Sequence, residues 1–317
     1  MTTGQPTTKQ APARVRAWLQ LVRVPNLFTV PGDPLAGFFL ASAATGAVIT
    51  SAIFHRAIVS MAACVMLYCA GLIHNDLCDY REDLRERPHR PLPSGQIKRW
   101  QAVIAFLFFL HGGIVLSFSL GQPSIIIASA LIAAIVLYNH GLKRVPFVGP
   151  ITMGLCRGLS LILGASSLGL DAVRSPLVMA PAVLTTAYIA CVTFIAAGET
   201  SIVRMDWRRN LPAALLAFFY TLIISCSWSP NARNLFSWPL VFVAAGAVFW
   251  AGRCAISLGR TPAPQHVQLG VGMLIRGLLL LQASFCCLFG PHGLIAAAAL
   301  IVIMPLAGLV GKNFYSS

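Results

Sequence analysis

The sequence predicts an all-α protein: a polytopic membrane bundle of about nine or ten transmembrane helices around a central cavity. Three observations carry this. Apolar residues fill 57% of the 317 positions and charged residues only 10%, with a mean hydropathy of +0.77, whereas a water-facing domain carries about 25% charged residues. Apolar stretches of about 20 residues, the length that crosses a bilayer's hydrocarbon core, recur along the whole chain. Lys and Arg gather in the short connections on one side of those stretches.

Residues 1–22, opening MTTGQPTTKQAPARVR, form a polar arm. No short apolar core with a small-residue cleavage site follows it, so it reads as a cytoplasmic arm and not as a signal peptide. Residues 23–317 form one membrane domain, because no polar block is long enough for a second, soluble one. Candidate spans run over 27–49, 56–74, 101–119, 124–140, 147–169, 177–198, 211–228, 236–257, 268–289 and 293–311. The first contains Pro31, Gly32, Asp33 and Pro34 and is expected to be broken. Such a break is tolerated where neighbouring protein or a cavity satisfies the freed backbone groups.

With the N-terminus cytoplasmic, eighteen of the 23 Lys and Arg fall on that side. Only Arg56, Arg174 and Arg233 fall opposite, while Arg157 and Arg276 lie within spans. This positive-inside bias sets the orientation. It also removes nucleic acid as the reason for the net charge of +14, since the charges report topology. The nine cysteines are scattered, mostly in apolar runs, with no paired CxxC spacing of a zinc or redox site.

Five of the chain's nine acidic residues, Asp76, Asp79, Glu82, Asp83 and Glu86, sit in one stretch, HNDLCDYREDLRERPHRPLPSGQI. Asp76, Asp79 and Asp83 share one face if the second span's helix continues through them, with Asn75 one turn from Asp79. Carboxylates this close repel, so a cation belongs among them, whether a local arginine (Arg81, Arg85, Arg87) or a hard divalent ion. A solvated helix end with ordinary salt bridges is the plain alternative. Against it stand the scarcity of carboxylates elsewhere, the position at a membrane boundary and the basic stretch Arg90-Pro-Leu-Pro-Ser-Gly95 that follows. Oxygen ligands with open positions suit Mg²⁺ shared with substrate phosphates. The segment therefore reads as a carboxylate–Mg²⁺–phosphate clamp for a lipid diphosphate.

These residues, Asn75-Asp76-x-x-Asp79-x-x-x-Asp83 and then Arg90-Pro91-Leu92-Pro93-Ser94-Gly95, resemble the first aspartate-rich motif of the UbiA superfamily of intramembrane prenyltransferases. Arg23-Val-Pro-Asn26-Leu-Phe-Thr and Asp33-Pro-Leu-Ala-Gly37 resemble its first helix. Tyr138-Asn-His-Gly-Leu-Lys143 resembles its basic loop after the fourth helix, and Met153 to Gly158 its fifth helix. Among the family's branches, the opening VPNLFTVPGDPLAGFFLA is most similar to the UbiA-like EboC proteins of bacterial gene clusters. The resemblance implies a Mg²⁺-dependent transfer of a prenyl group from a prenyl diphosphate lipid to an acceptor, in a bacterial plasma membrane. Asn75, Asp76, Asp79 and Asp83 would hold metal. Asn26, Asp33, Arg90, Tyr138, Lys143 and Arg157 would bind substrate. The family's second motif is expected after the sixth span, where this chain reads Gly198-Glu199-Thr-Ser-Ile-Val-Arg204-Met-Asp206. Its pair of close aspartates is absent, which leaves Glu199, with Arg204, Arg208 and Arg209 nearby, as the remnant of a second clamp.

Each of these residues also has a plainer reading. Arg157, flanked by Gly154 and Gly158 in a small-xxx-small pattern, either contacts an anion or pairs with buried Asp33. An unpaired arginine at that depth costs about 2.5–3.5 kcal/mol. Lys143 could mark topology alone, Asp33 could cap a helix, and Arg276 reads as a structural pair. His74 and Cys78 alone would not hold zinc. Two other functions fit less of the pattern: a lipid-diphosphate carrier without turnover, and a transporter lined by Asp33, Arg157 and Arg276.

Overall fold

A computed structural model of the protein describes residues 13–197, 205–227 and 238–315. They are helical, and they contain no strand. Nine helices among the described residues are long and apolar enough to cross a membrane. The remaining candidate of the sequence, 211–228, is a helix of 17 residues, Leu211–Ser227. The arm ends in α1 (Ala13–Leu21), and the first span is indeed broken, into α2 (Val24–Leu27) and α3 (Gly32–Thr45). Pro31 and Pro34 have no N–H to give the preceding turn, so the chain cannot pass from α2 to α3 as one helix.

The remaining elements follow in order. They are α4 (Ser51–Cys78), α5 (Tyr80–Glu86), α6 (Arg99–Ser119), α7 (Gln122–His140), α8 (Val148–Ser166), α9 (Leu170–Arg174) and α10 (Pro176–Ala196), then α11 (Leu211–Ser227), α12 (Trp238–Leu258), α13 (Pro264–Cys286) and α14 (Gly290–Tyr315). Local chemistry starts several of them. Thr50 caps α4 by accepting from the Ile53 N–H at 3.3 Å, and Ser175 caps α10, with Pro176 pre-set in the first turn. At the far end, the Arg56 guanidinium donates to the carbonyls of Leu120 and Ser167, both at 2.7 Å, and so neutralises the C-terminal ends of α6 and α8.

Burial sorts the helices into a centre and a lipid-facing ring. Every residue of α3 from Gly32 to Ser42 is buried, because α3 packs on α4, α8, α10 and α13. Helices α6, α7, α12 and α14 instead expose Phe108, Ile126, Phe242, Phe249 and Val302. In water such a surface would be costly; in a bilayer it is the ordinary outer face of a span. The central contacts are close ones. A Cβ on Gly37 would meet the Leu161 carbonyl oxygen at 1.9 Å, and one on Gly164 would meet that of Pro34 at 1.9 Å. Gly154 and Gly158 do the same for α8 against Thr186 and Ala182 of α10, so the small-xxx-small pattern serves the α8–α10 packing.

Gly37→Ala is therefore expected to force α3 and α8 apart and lower stability by about 1–3 kcal/mol. Gly246→Ala, in α12 with open space around it, is expected to be neutral or slightly stabilising. Thermal unfolding of the two variants in detergent compares them directly.

Candidate active site

The site is built where α4 ends. The helix stops at Cys78, with Asp79 at the junction (φ −85°, ψ 0°), and α5 starts at Tyr80. The sequence leads one to expect an uninterrupted helix here. The interruption is slight, because the Asp79 N–H still donates to the Asn75 carbonyl and the Asp83 N–H to that of Asp79, both at 2.9 Å. The i, i+3, i+7 register thus survives, and Asp76 and Asp83 are both buried.

Cations from three distant stretches reach these acids. The Lys143 ammonium, from the loop after α7, ion-pairs with the Asp79 carboxylate and donates to Asn75 Oδ1 at 3.2 Å. Arg90, from the Pro-rich turn, donates to Asp83 Oδ2 at 2.8 Å and stands 4.0 Å from Asp76 Oδ1. Arg23, between α1 and α2, stands 3.8 Å from the same Asp76 oxygen, in a left-handed backbone conformation (φ 48°) that few non-glycine residues adopt. Arg87 is the nearest of the local arginines proposed as partners, 3.9 Å from Asp83. Arg23 is the participant that sequence reasoning missed: it stands in the matched opening motif, but its turn geometry is set by packing.

Fourteen residues after Lys143, on α8, a second charged group forms deep in the bundle. Arg157 Nε pairs with Asp33 Oδ2 at 2.7 Å. Its Nη2 donates to the Thr29 carbonyl at 2.8 Å. Gln282, on α13, donates its amide to that same carbonyl at 2.8 Å and to the other oxygen of Asp33. Thr29 lies in the break between α2 and α3, so Arg157 and Gln282 satisfy a carbonyl that the missing helical turn has freed. Of the two readings open for Arg157, the buried pair with Asp33 is the one found. No sequence spacing pointed to Gln282.

Other site residues are placed as follows. Asn26 lies in the turn of α2, its carbonyl accepting from the Thr29 N–H and hydroxyl. Tyr138 is half-buried on α7, next to buried Asn139. Glu199 and Arg204 lie outside the described residues. Asp206 is exposed, and the Arg208 guanidinium lies 4.6 Å over the Phe194 ring, which also stacks on Phe147 at 5.5 Å.

A helical membrane bundle with an acid-and-base cluster at one helix end is thus defined. The UbiA prenyltransferase family model matches residues 34–263, and the chain belongs to that family. It is 32% identical over 150 residues (47% of this chain, 52% of the relative) to a digeranylgeranylglyceryl phosphate synthase of Sulfurisphaera tokodaii. It is 28% identical over 168 residues (52% and 59%) to one of Methanococcoides burtonii. The chain spans little more than half the length of these relatives. Its fold matches a UbiA homologue from Aeropyrum pernix (TM-score 0.60, 17% identity, 82% of this chain and 96% of that one). It also matches a UbiA homologue from Archaeoglobus fulgidus bound to DMAPP and Mg²⁺ (TM-score 0.54, 14% identity, 86% and 99%). The multiple apolar helices and the family make it an integral membrane protein.

The buried pair yields a second expectation. Asp33→Leu leaves Arg157 uncompensated and is expected to cost about 3–5 kcal/mol, much of which Asp33→Leu/Arg157→Met recovers. A double-mutant cycle on unfolding in detergent measures both.

Proposed function

We propose that the protein transfers a prenyl group from a prenyl diphosphate to an acceptor within the membrane, with Mg²⁺ as cofactor. One observation carries the reading: Asn75 Oδ1 and the Asp79 carboxylate converge on a single cation, the Lys143 ammonium. Oxygens that already surround one positive charge fit another. Asn75, Asp76, Asp79 and Asp83 together make the all-oxygen donor set that Mg²⁺ takes. Family membership supports the reaction class, and the DMAPP- and Mg²⁺-bound homologue supports the donor and the ion. When bound, Mg²⁺ offsets the diphosphate charge and stabilises the oxygen that leaves.

The chain's own residues do the rest. Lys143 and Arg90 exchange their carboxylate partners for phosphate oxygens, with Arg23 beside them. Arg–phosphate bonds are charge-assisted and bidentate, so the exchange loses little. Asn26 and Tyr138 contact the donor. Beside Glu199, the remnant of the second clamp, Arg204, Arg208 and Arg209 meet phosphate directly and make a weaker clamp. Asp33, Arg157 and Gln282 hold the α2–α3 break rigid, and the apolar helices around it keep water from the allylic carbon. The bond from that carbon to the diphosphate oxygen breaks with its electron pair on oxygen; the acceptor's nucleophile bonds to the carbon and gives up its proton. The clamp faces the cytoplasm in this reading, as the charge bias requires.

Purified protein with Mg²⁺ and a labelled prenyl diphosphate tests this. Release of diphosphate is expected, lowered about 100-fold or more in Asp79→Asn. Glu199→Gln is expected to change affinity modestly and keep the Mg²⁺ dependence. Binding without release would make the protein a lipid-diphosphate carrier instead, a function that its degenerate second motif would then explain.

A further inference from the structure

The acids use only one side of the end of α4. At about 100° per residue, His74 and Cys78 lie on the opposite side from Asp76 and Asp79. There the His74 Nε2 and Cys78 Sγ are 3.5 Å apart. His140, the last residue of α7, brings its ring to 5.1 Å from that of His74. One ligand atom from each of the three lies within 4.8 Å of the other two. The spacing of His74 and Cys78 on α4 gave no third ligand; the third comes from a residue 62 positions after Cys78.

We infer that His74, Cys78 and His140 form a site for a thiophilic divalent ion, of which Zn²⁺ is the type, separate from the oxygen clamp. The nitrogen–sulfur edge of a tetrahedral Zn²⁺ site, with bonds of about 2.05 and 2.3 Å, is about 3.6 Å. The His74–Cys78 pair already has that separation. The ligand atoms already lie within 4.8 Å of one another, so His140 needs only a small shift, which its exposure permits. Three protein ligands and an exposed rim leave a fourth position for water. The donor sets also divide the metals: imidazole and thiolate on this face select Zn²⁺, whereas amide and carboxylate oxygens on the other select Mg²⁺.

The surroundings prepare the ligands. His140 Nδ1 is 3.0 Å from the Val136 carbonyl, which can only accept, so its Nε2 presents a lone pair. A ring N–H held by a backbone carbonyl is the usual support of a metal-bound histidine. His74 Nδ1 lies 3.0 Å from the amide of buried Asn139, and its ring stacks on Phe106 at 5.2 Å. On metal binding the Cys78 thiol proton leaves to solvent. The His74 proton moves from Nε2 to Nδ1, where the turned Asn139 amide oxygen accepts it. The ion then ties the end of α4 to the end of α7, three residues before Lys143, and fixes the loop that carries the clamp's cation.

The test uses full-length protein in detergent and the metal alone. Co²⁺, the spectroscopic stand-in for Zn²⁺, is expected to bind with a thiolate charge-transfer band and to be displaced by one equivalent of Zn²⁺, while Mg²⁺ leaves the band unchanged. Cys78→Ser is expected to abolish the band. His140→Ala is expected to weaken Zn²⁺ by more than the about 10–100-fold that loss of an outer-shell partner costs. Both side chains are exposed, so folding survives; Cys69→Ser, at a buried cysteine elsewhere on α4, keeps the band. Wild-type protein without a thiolate band, or Cys78→Ser and His140→Ala variants that bind as the wild type does, would overturn the site.

Discussion

A bilayer gives an unpaired charge nowhere to go, and the pairing of charge is the constraint on which this protein's architecture rests. Nine acidic residues face 23 basic ones. The described acids that matter for the site are spent on two clusters: the clamp of Asp76, Asp79 and Asp83 at the end of α4, and the deep pair of Asp33 with Arg157. Each cluster draws partners from elements far apart in sequence. The clamp joins the N-terminal turn, the end of α4, the Pro-rich turn and the loop after α7. The buried pair joins α3, α8 and α13. Charge pairing therefore does for this bundle what long-range apolar burial does for a soluble core, where a bilayer supplies little hydrophobic drive between helices.

The two clusters are connected by the break at residues 28–31. A proline-bounded interruption inside a span frees carbonyls, and the Thr29 carbonyl is held by both Arg157 and Gln282. The same interruption lets α2 turn so that Arg23, one residue before it, reaches Asp76. Rigid support below and exchangeable cations above suit the proposed exchange of a polyanionic headgroup. A cation held by these carboxylates offsets their mutual repulsion and leaves those oxygens in place for the proposed metal.

Much of this was legible in the chain. Composition and spacing gave the helical membrane bundle, and Pro31 and Pro34 gave the broken first span. The concentration of acids gave the clamp, because carboxylates are scarce elsewhere. What was not legible depends on contacts between distant residues. Arg23 as a partner of Asp76 needs a left-handed turn that no local pattern announces. Gln282 stands 249 residues from Asp33 in an ordinary apolar run. The continuity of α4 through Asp79 was overestimated, since a slight hinge keeps the same hydrogen-bond register as a helix. Arg157 shows the limit most clearly: sequence left two uses open, and only the packing of α3 against α8 decides which the side chain makes.

The central claim is that Lys143, paired with Asn75 and Asp79, stands in the place proposed for a metal ion. Its most direct test is a calorimetric Mg²⁺ titration of wild type and Lys143→Met without any diphosphate present. The account gives tighter Mg²⁺ binding in Lys143→Met, because the competing ammonium is gone and Asn75 and Asp79 are left with unbalanced negative charge. Mg²⁺ binding that is unchanged or weaker in Lys143→Met would contradict it, and would put the metal somewhere other than between these two residues.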